Sequence, residues 1–122
     1  MHWDFNSGVP VYIQITEQIK MSIAVGELKA GDKLMSVREL AAEAEVNPNT
    51  MQKALSGLER DGLLYTHRTS GRFVTEDSDL ITRLREELAA EQISSFLKNM
   101  VRLGYSVSQA AEMLKKHPPE EK

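Results

Sequence analysis

Two helix starts stand close together near the middle of this chain, and they restrict its fold more than any other feature. Ser36-Val37-Arg38-Glu39 is an S-x-x-E capping box, in which serine and glutamate satisfy each other's open backbone donors. Asn47-Pro48-Asn49-Thr50 is a second start. Asn47 is a favoured N-cap, and Pro48 suits the next position, where its missing N–H costs nothing. The first helix therefore spans only Val37 to about Glu43, with Val37, Leu40 and Ala41 facing inward. The second runs to about Asp61, buries Met51, Ala54, Leu55 and Leu58, and stops at Gly62. Two short helices joined by a tight turn make a helix-turn-helix.

The flanks extend the pattern. A helix is expected from Pro10, as its first helical residue, to Val25; Tyr12, Ile15, Ile19 and Ile23 form its buried stripe, and Gly26 is a left-handed stop. Gly31-Asp32 signals a turn. Before the helix, Trp3 and Phe5 alternate with polar neighbours, which fits a short strand covering the core edge. After Gly62, Leu63–Thr66 and Arg72–Thr75 are rich in strand formers, and His67–Gly71 is a polar hairpin tip.

A long helix is expected from about Ser78 to Leu103. Its apolar residues form two stripes, Leu80, Ile81, Leu84 and Leu88 on one side and Ile93, Phe96, Leu97, Met100 and Leu103 about a quarter turn round. Two surfaces contact this helix, or it bends near Ala89-Ala90. Gly104-Tyr105 breaks it, Ser106 or Ser108 caps a last helix carrying Ala110, Ala111, Met113 and Leu114, and the tail from His117 frays. The expected fold is mainly α with a small β-hairpin. It comprises a winged helix-turn-helix domain over residues 1–76 and a short two-helix arm over residues 77–122.

Composition closes off other classes. Apolar residues are 41% of the 122, enough for a core, and aromatics only 6%, so that core is aliphatic. There is no cysteine, which excludes disulfide scaffolds, cysteine–zinc fingers and thiol catalysis, and suits a cytoplasmic location. No apolar run is long enough to span a membrane, and MHWDFNSG lacks the basic and apolar regions of a signal peptide. His2, His67 and His117 have no metal-ligand spacing. Without a Gly-rich phosphate loop, a Ser/His/Asp constellation or paired carboxylates in a cleft, no catalytic residue, metal or cofactor is expected, and the chain does not read as an enzyme.

Net charge is −3, but unevenly spread. Residues 1–28 carry one Lys and three acids, residues 29–74 seven Lys/Arg and six acids, and residues 75–122 seven Lys/Arg and nine acids. Only the middle segment is positive, so any phosphate contact is a local patch there. In a helix-turn-helix the second helix enters the major groove through its N-terminal residues. Here these are Asn47, Asn49, Thr50, Gln52 and Lys53; Asn and Gln can each pair two bonds with an adenine edge. Open N–H groups of that turn suit a phosphate. Arg38 reaches the backbone or a guanine edge. The tip carries Arg68, Ser70 and Arg72 around Gly71, a basic wing for the minor groove or backbone.

Leu34-Met35-Ser36-Val37-Arg38-Glu39-Leu40-Ala41, Val46 to Leu55, Leu58-Glu59-Arg60-Asp61-Gly62-Leu63 and Gly71-Arg72-Phe73-Val74 closely resemble the winged-helix signature of the GntR family of bacterial transcription regulators. The opening Pro10-Val11-Tyr12-Ile13-Gln14-Ile15 is similar to the family's first helix, so the resemblance covers about residues 9–75. It implies DNA contacts by Arg38, Asn49, Thr50, Gln52 and the wing around Gly71. Pro48 stands where many members of the fatty-acid and gluconate branches have Arg, so their operators do not transfer. The N-P-N-T form and the short C-terminal part resemble the YtrA-type branch, whose short arm dimerises, often in regulators of transporter operons.

The expected function is a sequence-specific regulator of double-stranded DNA, a repressor binding an inverted-repeat operator as a homodimer. The long helix would set two recognition helices ~34–36 Å apart. Ile93, Phe96, Leu97, Met100 and Leu103 are the expected dimer seam, because such a stripe is a liability on a monomer; packing of this stripe against the last helix alone is the alternative. Leu80, Leu84 and Leu88 are expected on the chain's own winged domain. Two other readings stand beside this one: a ligand-responsive switch with an effector, of unknown identity, bound at the arm, and a winged helix used only for protein contact.

Overall fold

A computed structural model describes residues 1–120. The chain forms two compact units, Met1–Arg85 and one beginning at Glu86. The first contains α1 (Val11–Ala24), α2 (Val37–Ala44), α3 (Pro48–Arg60), the antiparallel strands β1 (Leu64–His67) and β2 (Gly71–Val74), and the start of α4 (Ser78–Arg102). The second holds the rest of α4 and α5 (Val107–Lys116).

In the first unit the helical stripes close one aliphatic core. Ile15, Ile19, Met51 and Leu58 are wholly inaccessible, joined by Ile23, Leu40, Ala41, Leu55, Leu64 and Val74. Leu84 is buried, and Leu80 and Ile81 are half-buried, so the first turns of α4 complete this core. The unit boundary falls inside α4, just after Arg85.

The strands pair Leu64 with Val74 and His67 with Gly71, one residue from the expected ends; the tip is Arg68-Thr69-Ser70. Gly71 has φ +111, a value that favours glycine after a short hairpin loop. The segment after the Gly31-Asp32 turn adds a third edge to β2: Gly31 N–H donates to Val74 O at 3.0 Å, Val74 N–H to Asp32 O at 2.8 Å, and Leu34 N–H to Arg72 O at 2.9 Å. Asp32 closes its own turn by accepting from Lys29 N–H at 2.8 Å.

The helix ends follow the expected chemistry with small shifts. Pro10 is the N-cap of α1 rather than its first helical residue, with its carbonyl accepting Ile13 N–H and Gln14 N–H. Both capping groups of the Ser36/Glu39 box are made. Asp77 caps α4 through Leu80 N–H at 3.1 Å. Ser106, not Ser108, opens α5, through a second capping box with Gln109. Gly104 (φ +99) ends α4, where Tyr105 N–H reaches Met100 O at 3.1 Å. Residues 117–120 carry no helix; residues 121–122 of the expected frayed tail lie outside the described residues.

Trp3 and Phe5 do not form a strand. Their segment is held by α1 instead. Asp4 N–H donates to Gln18 Oε1 (3.0 Å) while Gln18 Nε2 donates to Asp4 O (2.6 Å). Asn6 exchanges the same pair with Gln14, at 3.0 and 2.9 Å. Two residues of extended chain advance about 6.8 Å and four of a helix about 6.0 Å, so glutamines one turn apart meet alternate backbone amides. The two carboxamides stand in for a partner strand.

Within the second unit, Ala110 of α5 is fully buried. Phe96, Met100, Met113, Leu114 and His117 line a hollow of about 170 Å³ between α4 and α5. Much apolar surface stays open here: Ile93 is 60% exposed and Leu103 73%, with Val101, Val107 and Leu114 above half. No helix among the described residues is long and apolar enough to cross a membrane.

Candidate nucleic-acid interface

The turn between α2 and α3 is built by one left-handed residue. Glu45 has φ +57, and its neighbour Val46 sends its N–H back to Ala41 O at 3.0 Å. This closes α2 in the manner of a Schellman cap, with glutamate where glycine is usual. The chain then enters α3 at Asn47, whose Oδ1 accepts from Asn49 N–H at 2.7 Å.

Because Met51, Ala54, Leu55 and Leu58 anchor one face of α3 in the core, the opposite face is committed to solvent. Asn47, Asn49, Gln52 and Lys53 are exposed and Thr50 half-buried. Arg38, second residue of α2, is exposed as well. The Gly71 side of the wing and the start of α2 line one cleft of about 520 Å³, which includes Lys33, Ser36, Glu39, Ser70 and Arg72.

Four of the six acids of this basic segment have partners for their side chains among the described residues, Asp32 with Lys29 N–H and the three that follow, while Glu45 and Asp61 are exposed without one. Glu39 accepts from Ser36 N–H at 3.0 Å, and those bonds to Ser36, backbone first, hold its carboxyl below the usual carboxylate range. Glu43 takes the Trp3 indole N–H at 2.7 Å. Glu59 takes the Thr66 hydroxyl and pairs with Arg72 Nε at 3.4 Å. Lys33, Arg38, Lys53, Arg60 and Arg68 all stay exposed. None of these five cations takes part in an ion pair among the described residues.

The comparisons agree with this geometry. Residues 11–74, over half the chain, match the model of the gntR family of bacterial regulatory proteins. The chain belongs to the GntR family. Over 111 residues it is 40% identical to the HTH-type transcriptional regulator YhcF of Bacillus subtilis, covering 91% of this chain and 92% of that one. It is 41% identical over 91 residues to the HTH-type transcriptional repressor YtrA of the same organism, covering 70% of each. A GntR family transcriptional regulator from Listeria monocytogenes superposes with a TM-score of 0.85 at 38% identity, over 93% of this chain and all of that one. The DNA-binding domain of AraR, solved in complex with its operator ORX1, matches 62% of this chain and 99% of its own at a TM-score of 0.55 and 29% identity. This GntR protein is a DNA-binding transcription regulator with a winged-helix fold.

Several expected site residues have additional partners. Asn47 spends its side-chain oxygen on the cap, and with Pro48 lacking an N–H, the turn offers a phosphate fewer donors than its open start suggested. Gln52 Nε2 lies 2.8 Å from Ser56 Oγ, one turn along. Lys53 Nζ sits 3.8 Å over the Tyr12 ring, a cation–π contact that restrains it. Arg72 is part-buried against Glu59, while Arg68, Ser70 and Gly71 stay exposed at the tip.

Three contributors are not marked by the local sequence: Lys33, whose Cε would lie 3.2 Å from a side-chain carbon on Gly71; Glu59, which ties wing to α3; and Tyr12. Gly57 lies within α3. A mid-helix glycine costs about 1 kcal/mol against alanine, and a Cβ there would meet nothing closer than Arg60 Nη2 at 3.5 Å. Its neighbours leave room for a side chain, so packing does not explain the glycine.

Proposed function

We propose that this regulator is a sequence-specific repressor that binds an inverted-repeat operator as a homodimer. The observation that carries the reading is the exposed polar face of α3, opening at Asn47 and flanked by the wing. Asn49, Thr50 and Gln52 read base edges in the major groove. Arg38, Lys53 and Arg68 hold phosphates, with Ser70 and Gly71 letting the wing approach the backbone. Arg72 sets the wing through Glu59, and Asn47 sets the helix start. The YtrA repressor and the operator complex of AraR support repression and duplex binding.

Dimerisation is supported by open apolar surface on the arm that follows the winged domain (residues 1–76): of the expected seam, Ile93, Phe96 and Leu103 are exposed, while Leu97 and Met100 are half-buried, Met100 beside α5. A second copy would cover it and place two α3 helices on one face of DNA, ~34–36 Å apart. The cytoplasm is the corresponding location.

Selection of duplexes from a random pool tests this reading. The expected consensus is palindromic. Asn49→Ala should relax preference at one position per half-site by about 1–3 kcal/mol. Arg38→Ala should weaken all sequences alike and flatten the salt dependence. A selection that enriches no consensus, or undiminished binding by both variants, contradicts it.

A further inference from the structure

We propose a small-molecule site where the end of α1 meets the start of α4, fitted to a medium-chain carboxylate. A concave site of about 430 Å³ lies there, lined by Ile23, Val25, Leu28 and Ile81 with Lys29 and Arg85. That volume falls within the ~300–1,000 Å³ of ligand pockets. All its lining residues belong to the first unit.

The chemistry of the lining selects the ligand. Its side chains are apolar apart from two cations, and no carboxylate is among them. The ion pairs among the described residues involve neither Lys29 nor Arg85. Arg85 is restrained: its Nε donates to Ala24 O, at the end of α1, at 3.1 Å. A guanidinium has five N–H donors, so the terminal amino groups keep the fork that grips a carboxylate through two bonds. Gly26, with φ +83, has nothing within 4 Å of where a Cβ would stand. An anionic head on Arg85 and Lys29, with a hydrocarbon body on Val25, Leu28 and Ile81, satisfies both halves of the site. As an effector site it rests on the regulator reading above; capture of the ligand does not.

Octanoate, 1-octanol and acetate can be titrated into the full ¹⁵N-labelled chain without DNA. Octanoate should give saturable shifts at Val25, Gly26, Leu28 and Arg85, with affinity about tenfold above either control. Lys29→Gln and Arg85→Gln should each weaken it several-fold while their other amide signals stay in place; should Arg85→Gln lose fold, Lys29→Gln decides alone. Octanol matching octanoate, unchanged affinity in Lys29→Gln, or no saturable shift overturns the site. Saturating octanoate should then change affinity for the selected operator at least threefold. An unchanged value removes the effector role, while operator binding without octanoate tests the DNA reading separately.

Discussion

Leu58 and Leu103 are the same residue in two kinds of surroundings. Leu58 lies in the first unit with no accessible surface, and Leu103 in the second with 73% of its surface open. The contrast extends to the units. The first seats the stripes of its helices in one core, whereas the second buries Ala110 and leaves Ile93, Val101, Val107 and Leu114 exposed. The first unit closes a full core within the chain while leaving Met21, Val25 and Met35 exposed. The other carries half of a core, and the proposed dimer supplies the other half.

Truncation is the strongest way to break that contrast. Leu58→Ala should cost about 2–5 kcal/mol, because it removes contacts and leaves a cavity. Leu103→Ala should change monomer stability by under about 0.5 kcal/mol. Urea unfolding at high dilution measures both, and equal losses would erase the distinction between the units. Leu103→Glu sharpens it next. Burying an unpaired carboxylate in the seam should weaken self-association by at least about tenfold, roughly 1.4 kcal/mol. Sedimentation equilibrium reads that change, with unfolding of the first unit unaltered.

Glu45→Gly should stabilise the first unit by about 1 kcal/mol, since glycine adopts the left-handed conformation at no steric cost. A thermal melt that fell instead would show that the glutamate side chain supports the turn. The smallest effect concerns Glu39. Its folded carboxyl titrates below its ordinary range, so the capping box contributes stability above the unfolded value. That contribution disappears as pH drops through the lower folded value. Amide exchange of α2 should accelerate over that interval after correction for intrinsic rates, and Glu39→Gln should remove the acid-side component.

Which features could be read in advance follows from the range of the interactions behind them. The Ser36 and Asn47 caps act over two or three residues, so both helix starts stood where the local pattern put them. The stripe of α1 and the stop at Gly26 are equally local. The third edge on β2 joins residue 31 to residue 74, and no local pattern announces it. The amide ladder of Gln14 and Gln18 replaces a strand partner with side chains, so alternation at Trp3 and Phe5 looked like a strand. At the interface, residue types identified the exposed face of α3. The Glu59 clamp and the Tyr12–Lys53 contact depend on where elements meet in space.

In the proposed complex the turn opening α3 enters a duplex beside the wing. Titrating the selected operator into ¹⁵N-labelled protein tests it most directly. The largest shifts are expected at Arg38, Asn49, Thr50, Gln52 and Arg68–Gly71, with small ones at the buried Ile15 and Ile19. Shifts confined to α5, or none at α3 when the duplex is saturated, would contradict it.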